Sequence, residues 1–313
     1  MYRVTAATAI ATLAMAVMFA SCLEAQEKLV GLRMIIVRDH EEAQKILKQL
    51  RRGDSFSALA REKSIGPPRQ QWGMLGLVRA SDLEEPIRSA IKKLKLGQIS
   101  EVLSLSNNYA IVKPISPEVP RLLGQAEEAL RQNKPADAVK AVQKALRYEP
   151  DNVQAYMLLG MSYGAADQFD DALEAVDKAE GYAPDESKIA MLRATLYGNA
   201  AIKDKKKSLG RKALKAYERV LSMDKRYETV AQMSIGSIYA MVFQQPEKAV
   251  THLEKAAVGN PDVALVHQLL IQAYYDLKRY PQAWKQLRVA QGRGFEFPKL
   301  LEQLHQVKQQ SQK

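Results

Sequence analysis

Apolar side chains recur three and four residues apart through the C-terminal two thirds of the chain, a spacing typical of helices with one buried face. In the clearest unit, residues 153–185, two such patterns flank a short polar turn and a proline ends the second. Pro150 and Pro261 end similar units upstream and downstream. The pattern predicts an array of about five stacked helix pairs over residues 118–297 and a polar capping helix over residues 298–313.

The N-terminal third shows a different pattern, in which runs rich in β-branched residues alternate with amphipathic segments. The predicted elements are, in order, a strand at 29–37, two helices within 40–63, a helix at 83–94, and strands at 99–103 and 109–113. The order β-α-α-α-β-β predicts a small α+β domain over residues 28–117. Pro114, Pro117 and Pro120 then predict a short stiff linker before the helix pairs.

The helix pairs share small, aromatic and proline residues at fixed places. In the second and fourth pairs these are Leu159, Gly160, Tyr163, Ala172, Ala179 and Pro184, and Gly236, Tyr239, Ala249, Ala256 and Pro261. The units resemble the tetratricopeptide repeat, which has this period and this skeleton. The resemblance implies an all-α superhelix whose concave groove, lined by the first helix of each pair, binds proteins or peptides.

Methionines stand at the fifth position of the first helix in three pairs, namely Met157, Met191 and Met233, and Met161 and Met241 lie further along their helices. In the repeat family that position points into the groove. Because thioether side chains adapt to irregular apolar partners, these five residues are predicted to line a groove for apolar peptide segments or helices. The alternative that they only pack between helices stays open.

The N-terminal domain carries short motifs spread over its whole length. They are Glu41-Glu42-Ala43, Gly53-Asp54-Ser55-Phe56, Gly73-Met74-Leu75-Gly76, Leu96-Gly97-Gln98-Ile99-Ser100 and Tyr109 with Ile111-Val112-Lys113. Together these motifs resemble the parvulin (rotamase) family of prolyl isomerases. The resemblance implies a parvulin-like fold and, in family members with a complete site, peptidyl-prolyl cis-trans isomerase activity.

The positions where the family has polar site residues are occupied by Met34, Gly66, Met74, Leu105 and Ala110, and the family's two histidine positions are those of Met34 and Ala110. None of these side chains donates a strong hydrogen bond. The family's apolar proline pocket is retained as Leu83 and Ile87. The resemblance therefore implies a degenerate domain that binds proline without catalysing isomerisation, and for Met34 and Met74 simple core filling is the alternative. An active isomerase that recruits substrate through the repeats is the alternative for the whole chain.

Residues 1–21 contain one basic residue and then an apolar run, which predicts a secretory signal peptide. The run ends Ala20-Ser21-Cys22, which resembles the bacterial lipoprotein signal. This predicts a lipidated Cys22, a tether over residues 22–27 and a location in the bacterial cell envelope, at the outer membrane facing the periplasm. Cleavage after Ala25, giving a soluble periplasmic protein, is the alternative.

Composition and charge add one further candidate surface. The net charge of +11 is concentrated between Lys203 and Arg226, where the predicted basic patch comprises Lys205, Lys206, Lys207, Arg211 and Lys212. An acidic protein, anionic lipid or acidic polysaccharide fits such a patch, and a solvated face is the alternative. The predicted export argues against nucleic acid as the partner.

No nucleotide-binding or zinc-protease motif is present, and four scattered histidines and one cysteine do not form a metal motif, so no cofactor is predicted. The leading hypothesis is an exported, membrane-anchored protein-binding factor, either a chaperone or a scaffold of an envelope complex. The sequence leaves its partner and its oligomeric state open.

Overall fold

The computed structural model of the chain describes residues 29–310. The predicted signal peptide, Cys22 and the tether therefore lie outside the described residues. The described chain packs as two compact units. The first comprises residues up to Glu128 together with Lys140–Ala155, and the second comprises Ala129–Val139 and residues from Tyr156 onward.

The first unit is built on an antiparallel sheet of four strands in the order β2-β1-β4-β3. The strands are β1 (Leu29–Val37), β2 (Met74–Arg79), β3 (Leu103–Ser104) and β4 (Tyr109–Ile115). The sheet confirms the predicted α+β class but contains one strand, β2, that the sequence pattern did not predict. Because β2 is an edge strand with mostly half-buried side chains and an internal glycine, its sequence lacks a clear alternation.

The predicted strand at 99–103 is largely wrong, since only Leu103 and Ser104 pair with β4. Upstream of them, the Ser100 hydroxyl accepts a 2.9 Å hydrogen bond from the amide of Val112. The Ser100 amide donates to Val112 O at 2.9 Å, but a side chain takes the place of the second backbone partner, so the regular ladder does not extend further.

Helices cover both faces of the sheet. They are α1 (His40–Arg51), α2 (Phe56–Lys63), the single turn α3 (Pro67–Gln70) and α4 (Glu85–Lys93), with a 3₁₀ turn at Ala80–Asp82. The predicted break between α1 and α2 is confirmed, because Gly53 has a φ of +100° and Ser55 caps α2 by accepting from the amide of Ala58. Ile35 and Val37 pack with α1 and α2, whereas Leu32 and Met34 pack with α4 on the other face.

The predicted proline linker is wrong. Strand β4 continues through Pro114 to Ile115, and the next helix already begins at Glu118, so Pro120 lies in its first turn, where a missing amide hydrogen is tolerated. The packing units also do not divide at residue 117, because residues 140–155 belong to the first unit. The domain limits based on sequence motifs stay a prediction.

Eleven further helices follow within the described residues. They are α5 (Glu118–Arg131), α6 (Pro135–Tyr148), α7 (Val153–Ala165), α8 (Phe169–Tyr182), α9 (Ser187–Asp204), α10 (Lys207–Met223), α11 (Glu228–Ile238), α12 (Pro246–Gly259), α13 (Ala264–Asp276), α14 (Tyr280–Gly292) and α15 (Pro298–Gln310). A 3₁₀ turn at Lys225–Tyr227 precedes α11, and a π-helical turn at Tyr239–Phe243 follows it. This succession confirms an all-α region of helix pairs ended by a single helix.

The small residues of the repeat pattern lie where helices cross. A Cβ on Gly236 of α11 would lie 2.6 Å from Leu253 Cγ of α12, so only glycine permits this approach. In the third pair Ala213 follows Tyr197 by 16 residues, whereas Ala172 follows Tyr163 by nine in the second. The extra residues lengthen the helices of the third pair, α9 to 18 and α10 to 17 residues, and leave only Lys205 and Lys206 between them. They therefore do not form a long loop.

Candidate functional site

Five of the predicted site residues of the first unit meet in one apolar cluster between the sheet and α4. Met34, Ala110 and Ile87 are buried, with 7%, 0% and 3% of their surfaces exposed, and Leu83 and Leu105 pack against them half-buried. Strands β1 and β4 place the first two on one sheet face, since Met34 pairs with Val112 and Ile36 pairs with Ala110. Leu83 precedes α4, and Ile87 lies in its first turn.

The two other predicted positions lie apart from this cluster. Gly66 is exposed and precedes α3 with a φ of +71° and a ψ of −161°, a conformation open essentially to glycine alone. Met74 is buried and pairs with Arg33 across the sheet, and it is not part of the cluster around Met34. A backbone requirement explains the glycine, and core packing explains the methionine.

The chemistry of the cluster is that of an apolar surface. Met34 and Ala110 supply no hydrogen-bond donor at the family's histidine positions. At its edge, the carboxylate of Glu84 accepts from the amide and the hydroxyl of Ser106, at 3.1 and 3.0 Å. These two polar side chains therefore bind each other. The arrangement can hold an apolar ring, but neither family position supplies a charge or donor to a twisting amide.

A buried ionic cluster on the opposite face of β1 was not predicted. Arg33 Nη1 donates to Glu149 Oε2 at 3.0 Å and to Asp151 Oδ1 at 2.9 Å, and Nη2 donates to Ser57 Oγ at 2.6 Å. Lys113 Nζ donates to the same Glu149 oxygen at 2.8 Å. The guanidinium is 4.8 Å from the Phe56 ring centre. A lone arginine inside the apolar run of β1 is the sequence signal that could have revealed it.

The predicted groove methionines of the second unit fall into two groups. Met157, Met191 and Met233 are half-buried, and the last two pack against the apolar cores of their helix pairs. Met161 and Met241 are 48% and 49% exposed. Met191 and Met233 thus contribute to packing, whereas Met161 and Met241 present apolar surface to solvent.

Met241 lies at a cavity of about 430 Å³ that is lined by the turn after α11, the start of α12 and one side of α13. Its lining residues are Ala240, Met241, Gln244, Pro246, Leu269, Gln272, Ala273 and Asp276. The π-helical turn at Tyr239–Phe243 supplies Met241, and Gln245 N donates to Tyr239 O at 2.9 Å where the turn ends. Such wide turns inside helices are often found at functional sites.

The predicted basic patch is exposed at the α9–α10 junction. Lys205 and Lys206 separate the helices, while Lys207, Arg211 and Lys212 lie in the first two turns of α10. Lys212 Nζ stands 5.6 Å from the centre of the Tyr197 ring. The structure thus gathers all five residues at one end of the third helix pair.

Fold and site together define a protein with an apolar parvulin-like domain and an array of helix pairs. Residues 38–116 match the family model of the PPIC-type PPIASE domain, and residues 123–187 match that of the tetratricopeptide repeat. The chain therefore carries a PPIC-type domain followed by tetratricopeptide repeats, as its motifs implied.

Curated relatives match about a quarter to a third of the chain. Over 100 residues the chain is 31% identical to the foldase protein PrsA 2 of Bacillus anthracis, covering 32% of this chain and 35% of that protein. Over 81 residues it is 35% identical to the periplasmic chaperone PpiD of Buchnera aphidicola subsp. Schizaphis graminum, covering 26% and 13%. The chain thus spans about a third or less of the length of these relatives.

Solved structures resemble the helical region. The structure of pilF from Pseudomonas aeruginosa matches with a TM-score of 0.51 and 16% identity, covering 61% of this chain and 85% of that one. PilW, a type IV pilus biogenesis factor, matches with a TM-score of 0.50 and 17% identity, covering 59% and 82%. At these identities the likeness concerns the fold alone. Within residues 29–310, no helix has the length and apolar character needed to cross a bilayer.

Proposed function

We propose that this protein is an exported, membrane-anchored binding factor that holds polypeptides in its repeat groove and through a non-catalytic parvulin-like domain. The names of its relatives, a periplasmic chaperone and a foldase, support the class. Exposed Met161 and Met241 support a groove for apolar segments. The partners are proteins or peptides.

The single observation behind the non-catalytic assignment is the apolar cluster that contains Met34 and Ala110. Turning an X–Pro amide crosses a barrier of about 18–20 kcal/mol. Lowering that barrier requires groups that bind the twisted amide better than either planar form, usually fixed donors or charges. A methionine and a fully buried alanine offer neither. An apolar floor at Leu83 and Ile87 binds a proline ring in both isomers about equally, which does not accelerate exchange.

Exchange NMR on a proline peptide tests this assignment. The expected result is an exchange rate equal to that of the peptide alone, with binding seen as chemical-shift changes near Leu83 and Ile87. A parvulin with both family histidines is the positive control. Acceleration comparable to that control would establish the alternative, an active isomerase. Shift changes confined to other surfaces would remove the proline-binding part of the proposal.

The proposed anchor is a lipid on Cys22 at the outer membrane, facing the periplasm. Its support is the Ala20-Ser21-Cys22 ending after an apolar run in a chain with one cysteine. Intact-mass analysis of protein purified from membranes tests it. The expected mass corresponds to a chain beginning at Cys22 with acyl groups added. A chain beginning at Gln26 without lipid mass would make the protein soluble in the periplasm.

A further inference from the structure

Half of the basic side chains between Lys203 and Arg226 form an ion pair or a contact with an aromatic ring. Lys203 and Lys206 bind Asp167 and Asp204 at 2.7 and 3.6 Å, Arg219 binds Glu180 at 2.7 Å, Arg226 binds Asp224 at 2.6 Å, and Lys212 lies over Tyr197. Within residues 29–310, no carboxylate partner is found for Lys205, Lys207, Arg211, Lys215 and Lys225. These five cations therefore have no ion pair of their own within that range.

Three of the unbalanced cations form a line on one helix face. Lys207, Arg211 and Lys215 are four residues apart in α10 and all exposed, so successive charges stand about 6 Å apart along the axis. Like charges at this spacing destabilise a helix. Together with Lys205, which directly precedes the helix, they form what we call the basic ridge.

The start of α10 adds to this unfavourable arrangement. Lys206 occupies the capping position without a side-chain hydrogen bond, and the first turn contains no acidic residue. The amide end of a helix carries partial positive charge, which basic side chains oppose. Both unfavourable terms would be reduced by an anion lying along the basic ridge. Asp204, the acidic residue nearest to the start of α10, already binds Lys206.

We propose that the basic ridge docks on the anionic phospholipid headgroups of a membrane surface. This proposal goes beyond anchoring through Cys22, because the ridge would be a second and independent membrane contact. Basic residues near an anionic bilayer contribute attraction one by one, without fixed partners. The ridge would thereby determine which side of the repeat array faces the membrane.

The surface chemistry of α10 favours phospholipid over a folded acidic protein. Every exposed residue of α10 is polar: Lys207, Ser208, Arg211, Lys212, Lys215, Glu218, Arg219 and Ser222. The residues that contribute most to protein interfaces are usually aromatic or arginine side chains buried in pockets, and the exposed face of α10 presents no aromatic or apolar side chain. A bilayer presents mobile phosphates that adjust to any spacing of cations, so charge alone suffices.

Vesicle sedimentation tests the proposal with the chain from residue 23 onward, which keeps every described residue and lacks Cys22. The vesicles are phosphatidylcholine alone and phosphatidylcholine with phosphatidylglycerol. The expected result is binding only to the anionic vesicles, weakened by added salt. Lys207→Glu, Arg211→Glu and Lys215→Glu together should reduce binding about 100-fold, at roughly a factor of five for each basic residue near the surface.

The matched control is Lys278→Glu, Lys285→Glu and Lys299→Glu, three exposed residues of other segments with the same change in net charge. It should reduce binding only about threefold through the general field. The ridge triple should keep its melting temperature, because it removes like-charge repulsion and places glutamate at the start of α10. Equal losses in both triples would overturn the proposal. Wild-type binding to soluble polyglutamate without binding to anionic vesicles would also overturn it and assign the ridge to an acidic protein.

Discussion

Arg33 and Glu149 are 116 residues apart in the chain, yet their side chains meet at 3.0 Å in the interior of the first unit, 1% and 4% exposed. Asp151, Ser57 and the carbonyl of Trp72 accept from the other Nη hydrogens, and the buried Nε of Arg33 has no hydrogen-bond partner. A buried charge is tolerated only when opposite charges and hydrogen bonds surround it. The end of α6 is therefore part of the structure that holds the parvulin-like sheet.

Replacing Arg33 with alanine should reduce the free energy of unfolding by about 3–5 kcal/mol, because Glu149 would remain buried with only Lys113 beside it. Urea denaturation followed by circular dichroism measures the loss. Arg51→Ala is the matched control, since its partner Glu101 and Arg51 itself are both exposed, and it should cost less than about 1 kcal/mol. Similar losses in the two variants would contradict the assigned role of Arg33.

A chain that ends at residue 117, where the sequence motifs end, should be less stable than one that ends at residue 155. The shorter chain leaves Arg33 without Glu149 and Asp151. Thermal denaturation of residues 28–117 and 28–155 measures the difference. Arg33→Met should stabilise the shorter chain, because it removes a buried charge that has no carboxylate partner there. It should destabilise the longer chain, because it leaves Glu149 buried without Arg33. The same sign in both chains would rule out this explanation.

All helices except the single turn α3, and their order, could be predicted from the sequence because each element carries its own local signal. Tyr239, Ala249 and Pro261 recur at the period of the repeat, and Gly53 marks the break between α1 and α2. Strand β2 was not predicted because its edge position leaves its side chains half-buried, so its sequence need not alternate between apolar and polar residues. The ion pair between Arg33 and Glu149 was not predicted because no local sequence pattern links residues so far apart in the chain.

The candidate site was predictable only in part, for the same reason. Met34 and Ala110 were identified by resemblance, but their packing with Ile87 and Leu105 depends on how β1, β4 and α4 assemble. The burial of Met191 and Met233 depends likewise on neighbouring helix pairs. Periodicity places a residue on a helix face without giving the depth at which that face is covered.

Truncating the apolar cluster should separate packing from binding. Ile87→Ala should reduce the free energy of unfolding by about 2–5 kcal/mol, because Ile87 is 3% exposed among Met34 and Ala110. Leu83→Ala should cost less, since Leu83 is only half-buried, but it should weaken the binding of a proline peptide. Urea titration and NMR titration measure the two effects. Unchanged peptide affinity in Leu83→Ala would remove Leu83 from the proposed proline pocket.

The methionines of the second unit should likewise divide into residues that stabilise the fold and residues that bind peptide. Met161→Ala with Met241→Ala should leave the melting temperature nearly unchanged, because both side chains are about half exposed, and should weaken binding of an apolar peptide. Met191→Ala with Met233→Ala should lower the melting temperature, because these side chains pack against the helix-pair cores. Calorimetry and peptide titration measure both pairs. If the exposed pair left peptide affinity intact, the groove assignment would fail.

Glu180 of α8 should give the second unit an acid-dependent stability. Its carboxylate accepts from Arg193 of α9 at 2.6 Å and from Arg219 of α10 at 2.7 Å, so one side chain ties three helices. Burial alone would raise the pKa of Glu180. The hydrogen bond from Arg219 and the charges of both arginines outweigh that effect and hold its pKa below the ordinary value of 4.5.

The sign of the pH dependence follows from this lowered pKa. The unfolded chain binds a proton at Glu180 at a higher pH than the folded chain does, so the stabilisation is complete above the ordinary pKa and is lost as pH falls through the folded one. Glu180→Gln should therefore lower the free energy of unfolding by about 1 kcal/mol at pH 7, and its difference from the wild type should shrink below pH 4.5.

Urea titrations of the wild type and Glu180→Gln at a series of pH values measure this difference in the free energy of unfolding. Glu174→Gln, an exposed change on the same helix, should show almost no difference at any pH. A deficit in Glu180→Gln that stayed constant into acid would mean that the amide lost packing or hydrogen bonds and that the charge of Glu180 does not stabilise the fold.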